Sequence, residues 1–489
     1  MEKWQVSKHI HMVRRASDYA VYNKLFGNLK LLNQHALETL LKFSEPAAID
    51  AVAQDPETQS LVAQFQKYLF LVREGADERD YIEADKRFRS EHLTSGYLLK
   101  GIQLVLTNDC NLGCSYCFQE TISHAQSPSI QNSPFKILGS SSASSGGCGT
   151  TTTTAAVAPP AISDVKKMSP DTAITTVSRA IATVKKAGNE QLSIEFFGGE
   201  PLLNWAAITA VLDEFGDGSA HGVKLHYSIT TNATRITDAI AKKLRQHDVT
   251  VTVSFDSPKN SSRTTKRGTS ATDSILAGLD ILSRNDSLLT FNTVVSVNNV
   301  HEVDVDGLLE IAKKHRVRVL GVILDLEIKP YEDHEGMAKV VDTVMRICER
   351  AQDYGIPVTG YWHQIFEQIA GLQPINLQKG YKTCAAEGCK LSFEPNGDVT
   401  HCKTVEKSIG SLDAMDDVFQ SSWYKAAAMK AYETSSYCRG CMVEGFCSGL
   451  CMGTLQKLYN DSNAIAVSAC TVYRNVTERL IQAIPSQAL

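Results

Sequence analysis

Between Ile102 and Leu326 six short apolar runs alternate with five amphipathic helical stretches, and no other feature narrows the fold as far. The runs are Ile102–Thr107, Leu192–Phe197, Lys224–Thr230, Val249–Phe255, Leu289–Val297 and Val317–Leu326. A helix begins at Ser169, an N-cap before Pro170 and Asp171, and stops near Gly188. The others span Asn204–Phe215, Thr237–Gln246, Ala271–Ser283 and Val305–His315. Strands separated by helices pair in parallel through right-handed crossovers, so the middle of the chain is predicted to be an α/β domain on a parallel sheet.

Composition bounds what surrounds that sheet. A chain of 489 residues, 43% hydrophobic, has room for roughly two to four packed domains. Its net charge of −5 and pI near 6.2 give no basic footprint, which argues against nucleic acid as substrate. No apolar stretch approaches the roughly 18 residues that span a bilayer, and Met1–Arg15 holds no apolar signal core. The expectation is a cytoplasmic chain without a membrane partner. In that reducing compartment clustered cysteines serve as metal ligands rather than disulfides.

Eleven of the thirteen cysteines fall into two groups. The first, Cys110-x3-Cys114-x2-Cys117, follows the run Ile102–Thr107. Three thiolates can hold a [4Fe–4S] cluster by three of its irons and leave the fourth open to a ligand, as in a catalytic metal site. The second group comprises Cys384, Cys389, Cys402, Cys438, Cys441, Cys447, Cys451 and Cys470. Eight thiolates are the number that ligates two such clusters fully, although four also make an ordinary zinc set. Phe393–Asp398 reads as a hairpin that returns Cys402 toward Cys384.

With Tyr116 as its aromatic residue, the first group resembles the Cys-x3-Cys-x-aromatic-Cys signature of the radical S-adenosylmethionine (SAM) enzymes. The resemblance covers 101–118 and 165–471. It implies that SAM chelates the open iron, and that one electron splits SAM into methionine and a 5′-deoxyadenosyl radical. It narrows the fold to a partial (β/α)6 TIM-like barrel, with function on loops at the strands' C-terminal ends. Gly198-Gly199-Glu200-Pro201 resembles the family's SAM-amino-binding motif; glycines let backbone approach a ligand, and a carboxylate can accept from an ammonium. Asn232, Ser254 and Asp256 resemble positions that contact the SAM ribose or carboxylate, and each also reads as a strand-end turn. The second group resembles the SPASM extension with its two auxiliary [4Fe–4S] clusters, making three in all. By that analogy Cys384, Cys389, Cys402 and Cys451 hold the nearer cluster, and Cys438, Cys441, Cys447 and Cys470 the outer one. A low-potential donor of flavodoxin or ferredoxin type would supply electrons.

Residues 1–95 stand apart from the barrel. Val21–Leu25 and Leu29–Leu32 read as a hairpin, and Asn33 caps a helix with Ala36, Leu37, Leu40 and Leu41 on one face. A helix after Ser44, another over Glu57–Gln66 and a strand Tyr68–Val72 complete a pattern that looks like the winged-helix domain holding a precursor's leader peptide by strand addition. Arg79–Arg89 reads as a solvated helix or linker. The barrel spans 96–330, a bridging helical region 331–380, the SPASM domain 381–475 and a helical tail 476–489. Residues 123–164, rich in Ser, Gly and Thr and containing Cys148, are expected to be a disordered insertion. Cys348 reads as a core thiol sharing a helix face with Val341 and Val344.

The function implied is a peptide maturase that installs an oxidative crosslink (carbon–carbon, carbon–oxygen or thioether) in a ribosomally made precursor peptide carrying a leader. The alternatives are an anaerobic sulfatase maturase and a non-catalytic iron–sulfur or zinc scaffold. Against the first, Lys403 follows Cys402, where those enzymes carry an acid. No catalytic side chain is assigned; Tyr361, Trp362 and His363 could line a pocket, and His401 reads as support for Cys402 or surface.

Overall fold

The computed structural model describes residues 2–117, 165–259, 262–325, 334–372, 382, 384, 387–405 and 407–486. The whole of the insertion 123–164, and Cys148 with it, lies outside them. Alternation within the strands decides how the central sheet is covered. Leu192, Ile194 and Phe196, Leu225 and Ile229, Val251 and Val253, and Leu289 and Phe291 are buried, each at most 5% exposed. The residues between them, Glu195, Ser228, Thr230, Thr252, Ser254, Thr290 and Asn292, take the opposite face by the period of two and are half-buried. Parallel sheets are ordinarily apolar on both faces. This one keeps a polar inner face, suited to a polar ligand.

In chain order the N-terminal strands are β1 (Lys3–Val6), β2 (Ile10–Arg14), β3 (Tyr19–Asn23) and β4 (Gly27–Leu32), then helix α1 (Gln34–Leu41), β5 (Ala47–Ala48), α2 (Ile49–Val52), α3 (Pro56–Lys67), β6 (Leu71–Arg73) and α4 (Arg79–His92). They form two three-stranded sheets, β5-β1-β6 and β2-β3-β4, around a core of their own that includes Val21, Leu40, Phe43, Phe65 and Phe70. The predicted hairpin and the Asn33 cap are present. Leu41 departs from its predicted face and is 43% exposed, because the helix ends there.

The barrel strands are β7 (Gly101–Val105), β8 (Gln191–Phe197), β9 (Lys224–Thr231), β10 (Thr250–Ser254), β11 (Leu288–Val295) and β12 (Leu320–Leu324). Helix α5 (Pro170–Lys186) opens with Ser169 accepting from the Thr172 N–H, as its cap sequence requires. The sheet runs past the six predicted strands. On one side β13 (Val358–Thr359) pairs in parallel with β12. On the other, β14 (Lys390–Phe393) pairs in parallel with β7, Leu391 opposite Ile102 and Phe393 opposite Leu104, and turns into antiparallel β15 (Asp398–Thr400) and β16 (Gly410–Ser411). The cysteine-rich C-terminal region is thus continuous with the barrel sheet.

Helix α4 is solvated over most of its surface, as its charge predicts, but not all round. Its charge-dense sequence carries one apolar and cation-bearing stripe that docks on the C-terminal region. Ile82 and Arg89 are buried, Arg89 donates to the Glu387 carbonyl at 2.5 Å and covers the Tyr432 ring, whose hydroxyl bonds Asp85. The β3–β4 hairpin is seated too, with the Gly445 N–H donating to the Lys24 carbonyl (2.9 Å) and the Tyr22 hydroxyl to the Met442 carbonyl (3.0 Å). A Cβ at Gly445 would lie 2.4 Å from the Leu25 carbonyl oxygen. Gly445→Ala is therefore expected to weaken this seat by about 1–3 kcal/mol, the usual cost of overpacking. Equilibrium urea denaturation should then show an earlier transition for the N-terminal core; one unshifted transition would count against the contact.

Candidate functional site

The loop after β7 carries Cys110, Cys114 and Cys117, and the turn after β8 packs against its backbone. The Gly199 N–H donates to the Thr107 carbonyl at 2.8 Å and the Glu200 N–H to the Asp109 carbonyl at 2.9 Å. Gly198 has φ +144, and a Cβ there would meet the Thr107 oxygen at 2.3 Å; one on Gly199 would meet the Asp109 oxygen at 2.2 Å. Both glycines are thus required by the approach of two backbones. Glu200 is buried, and its carboxylate accepts from the Leu202 N–H (3.1 Å), the Thr231 hydroxyl (2.7 Å) and the Asn232 N–H (2.8 Å), fastening this turn to the end of β9. Burial raises its pKa. Pro201 follows as the first residue of a short 3-10 turn.

Asn232 reaches Asn111 (3.0 Å), and its amide nitrogen lies 3.8 Å from the Cys110 sulfur, which also accepts the Leu112 N–H at 3.4 Å. Ser254 ends β10 opposite Asn292 on the polar face. Asp256 is 1% exposed and saturated from within the chain. It accepts from the Tyr116 hydroxyl, from a terminal nitrogen of Arg263 at 2.9 Å and from the Val294 N–H at 2.8 Å, and its other oxygen forms an ion pair with the Arg263 Nε at 2.9 Å. The Arg263 guanidinium lies over the Tyr116 ring, 5.3 Å from its centroid. Sequence reasoning missed Arg263; the signal was a cation seven residues after a strand-end carboxylate.

Burial pushes the Cys114 thiol up to about 11 and raises Cys110, with neighbouring thiols adding to both. Buried thiols stay protonated at neutral pH unless a bound cation draws off the proton. Every described cysteine is a free thiol. Three such donors beside an open polar sheet face fit an iron–sulfur cluster; their sulfurs are not drawn together as a single ion would need.

The second group divides between two cavities. Cys438, Cys441, Cys447 and Cys470 line one of about 390 Å³. Burial raises Cys441, takes Cys447 to about 11 and Cys470 to about 12. Cys384, Cys402 and Cys451 line the other, of about 220 Å³, with the Thr404 hydroxyl 2.9 Å from the Cys402 sulfur and 3.5 Å from that of Cys451. Cys389 is not among the residues lining it. Its carbonyl accepts the Lys100 and Gly101 N–H groups, and the thiol is close enough to Tyr97 and Tyr424 to add to the raised pKa of both.

Between the loop of Cys110 and the smaller cavity lies Lys403, whose ammonium bonds Asn108 and pairs with Glu394 at 3.3 Å. His401 is not at the surface. It is 4% exposed, stacks on Tyr424, and burial lowers its pKa to about 4. Trp362 is fully buried and donates to the Val322 carbonyl, whereas His363 pairs with Glu367. Cys348 packs half-buried against the core on the helix His334–Tyr354, and burial raises it to about 12. No helix among the described residues is long and apolar enough to cross a membrane.

Comparison with known proteins agrees with this geometry. The family model of the radical SAM superfamily matches residues 104–312, from β7 through the helix after β11. The radical SAM cyclopropyl synthase TigE of Paramaledivibacter caminithermalis is 31% identical over 489 residues, 98% of this chain and 95% of that protein. Among solved structures, anSMEcpe with bound AdoMet superposes with a TM-score of 0.57 at 16% identity, over 78% of this chain and 97% of that one. Streptococcus suis SuiB bound to its precursor peptide SuiA gives 0.51 at 14%, over 96% and 100%. Kinship of this extent with TigE, along nearly the whole of both chains, means that the protein belongs to the radical SAM superfamily.

Proposed function

We propose that this enzyme closes a carbon–carbon bond, as a cyclopropane ring, in a ribosomally made precursor peptide. The observation that carries the reading is the near full-length relationship to a protein named for cyclopropyl synthesis. Support for a peptide substrate comes from SuiB, a fold neighbour along 96% of the chain that was solved with a precursor peptide. We assign leader binding to residues 1–95.

In this reading Cys110, Cys114 and Cys117 hold the cluster that chelates SAM. Cleavage of SAM by one electron supplies the 5′-deoxyadenosyl radical. Gly198, Gly199, Glu200 and Pro201 shape the wall for the amino end of SAM. Asn232 and Ser254, on the polar face, take its ribose and carboxylate. Asp256 acts at one remove, holding the Tyr116 hydroxyl directly and pairing with the Arg263 that covers its ring. Ring closure removes two hydrogens from the peptide. One leaves as an atom to the radical, the other as a proton whose electron needs an acceptor. The cysteines lining the two cavities would hold auxiliary clusters able to take up that electron, and a low-potential donor of flavodoxin or ferredoxin type would supply the one that splits SAM. Sulfatase maturation is disfavoured by Lys403, whose ammonium is tied to Glu394 where that chemistry would have an acid.

Anaerobically reconstituted protein with dithionite and SAM should release 5′-deoxyadenosine, and Cys114→Ala should release none. A peptide encoded beside the gene should lose the mass of two hydrogens and gain a ring carbon signature by NMR, and the same peptide without its leader should not. Release of 5′-deoxyadenosine with a mass loss placed between two different residues would replace ring closure by a crosslink. Iron analysis separates the cysteine sets. Cys402→Ser and Cys441→Ser should each lose about four irons per chain, whereas Cys389→Ser, standing off its cavity, should keep them. Asp256→Asn leaves Arg263 buried without its counter-charge, so stability should fall by about 3–5 kcal/mol. Denaturant titration measures that loss, and an unchanged midpoint would mean that the pair braces nothing.

A further inference from the structure

Two cavities share a wall that includes Ser448, Gly449 and Tyr473, and Tyr361 packs against it from the side of the smaller cavity. Tyr361 opens the helix Tyr361–Ala370, and its neighbour Trp362 anchors that first turn to β12 through the Val322 carbonyl. A Cβ on Gly360 would meet that same oxygen at 2.6 Å, so the turn is packed tightly and Tyr361 has little freedom. The Tyr361 ring lines the smaller cavity, and its edge meets Tyr473 with ring centroids 5.4 Å apart. Tyr473 is 1% exposed and lines both cavities. It follows Cys470 by three residues on the helix Val467–Ala483, so both side chains share one face.

The Tyr361 hydroxyl has one proton and two lone pairs. The Ser448 N–H occupies a lone pair at 2.6 Å, and the hydroxyl donates to the Cys447 sulfur at 3.9 Å. Cys447 also accepts the Gly449 N–H at 3.3 Å. Hydrogen bonds to ligand sulfurs are among the levers that set an iron–sulfur reduction potential, because they stabilise the more electron-rich, reduced state.

We infer that Tyr361 is a positioning residue that tunes the outer auxiliary cluster through its hydroxyl bond to Cys447, from its place against Tyr473 in the shared wall. The inference rests on the proposal that the Cys438–Cys470 cavity holds a cluster. It makes the hydroxyl, not the ring, the working part. Tyr361→Phe keeps the packing on Tyr473 and deletes the donor to Cys447, along with the acceptor of the Ser448 N–H.

The test is an EPR-monitored redox titration of reconstituted full-length protein, with iron and sulfide analysis of each variant. The outer cluster's signal is the one that Cys441→Ser removes. In Tyr361→Phe that signal should titrate at a more negative potential with iron content unchanged, while the other signals stay where they were. An unmoved outer potential, or a shift confined to a signal that Cys441→Ser retains, would overturn the inference. Loss of outer-site iron in Tyr361→Phe would make the residue structural and overturn it too. If Cys441→Ser itself loses no iron, the cluster proposal fails, and the inference fails with it for a different and visible reason.

Discussion

A Cβ on Gly199 would lie 2.2 Å from the Asp109 carbonyl oxygen, so the turn after β8 and the strand end leading to Cys110 touch backbone to backbone. That approach lets two N–H groups from the turn reach the Thr107 and Asp109 carbonyls. It also carries Glu200 inward, where its carboxylate ties down the end of β9. A buried carboxylate is costly unless hydrogen bonds satisfy it, and three bonds from the chain offset that cost here. The loop of three cysteines therefore inherits its position from three adjacent strands. Tyr116, held by Asp256 and Arg263, adds a fourth anchor from the end of β10.

Sheet continuity extends the same frame to the C-terminal cysteines. Because β14 pairs with β7 residue for residue, the hairpin that ends at Cys402 is fixed relative to the strand that ends at Cys110. Lys403 closes the span from the side by bonding Asn108 and Glu394 together. The polar inner face of the sheet opens between them, lined by Ser, Thr and Asn side chains that can meet a nucleoside or a peptide backbone. Electron transfer and radical generation would then share one rigid sheet instead of two domains on a linker.

What the sequence revealed was local. Strand alternation, the Ser169 and Asn33 caps and the spacing of cysteines are all written within a few residues, and the structure has them. What it hid depends on contacts between distant segments. Nothing in Lys390–Phe393 announces that it pairs with Gly101–Leu104 some 290 residues earlier. Arg263 looked like one more loop cation until Asp256 was found to hold it. Arg79–His92 looked solvated because its charge outweighs its apolar content, yet Ile82, Asp85 and Arg89 recur at helical spacing and meet Tyr432 and Glu387. Of the eight cysteines Cys389 alone lines neither cavity, and its carbonyl accepts the Lys100 and Gly101 N–H groups, a placement set by the β14–β7 pairing rather than by local sequence.

The segment Cys438–Cys447 serves two neighbours at once. Its sulfurs line the larger cavity, while its outer backbone is the seat of the N-terminal hairpin through Gly445 and Met442. Arg79, at the start of the docked helix, pairs with Glu444 at 2.7 Å, and Glu444 in turn accepts the Gly440 N–H between Cys438 and Cys441. A displacement of the hairpin would thus be felt by the backbone that carries those two cysteines. The same coupling runs inward, since any group that draws Cys441 and Cys447 together also fixes the loop on which the hairpin rests. Gly440, with φ +80, gives the turn its shape, and Gly445 gives it room for Leu25. The N-terminal hairpin and the cysteines of the larger cavity are therefore joined by one short loop, and a substitution there would disturb both.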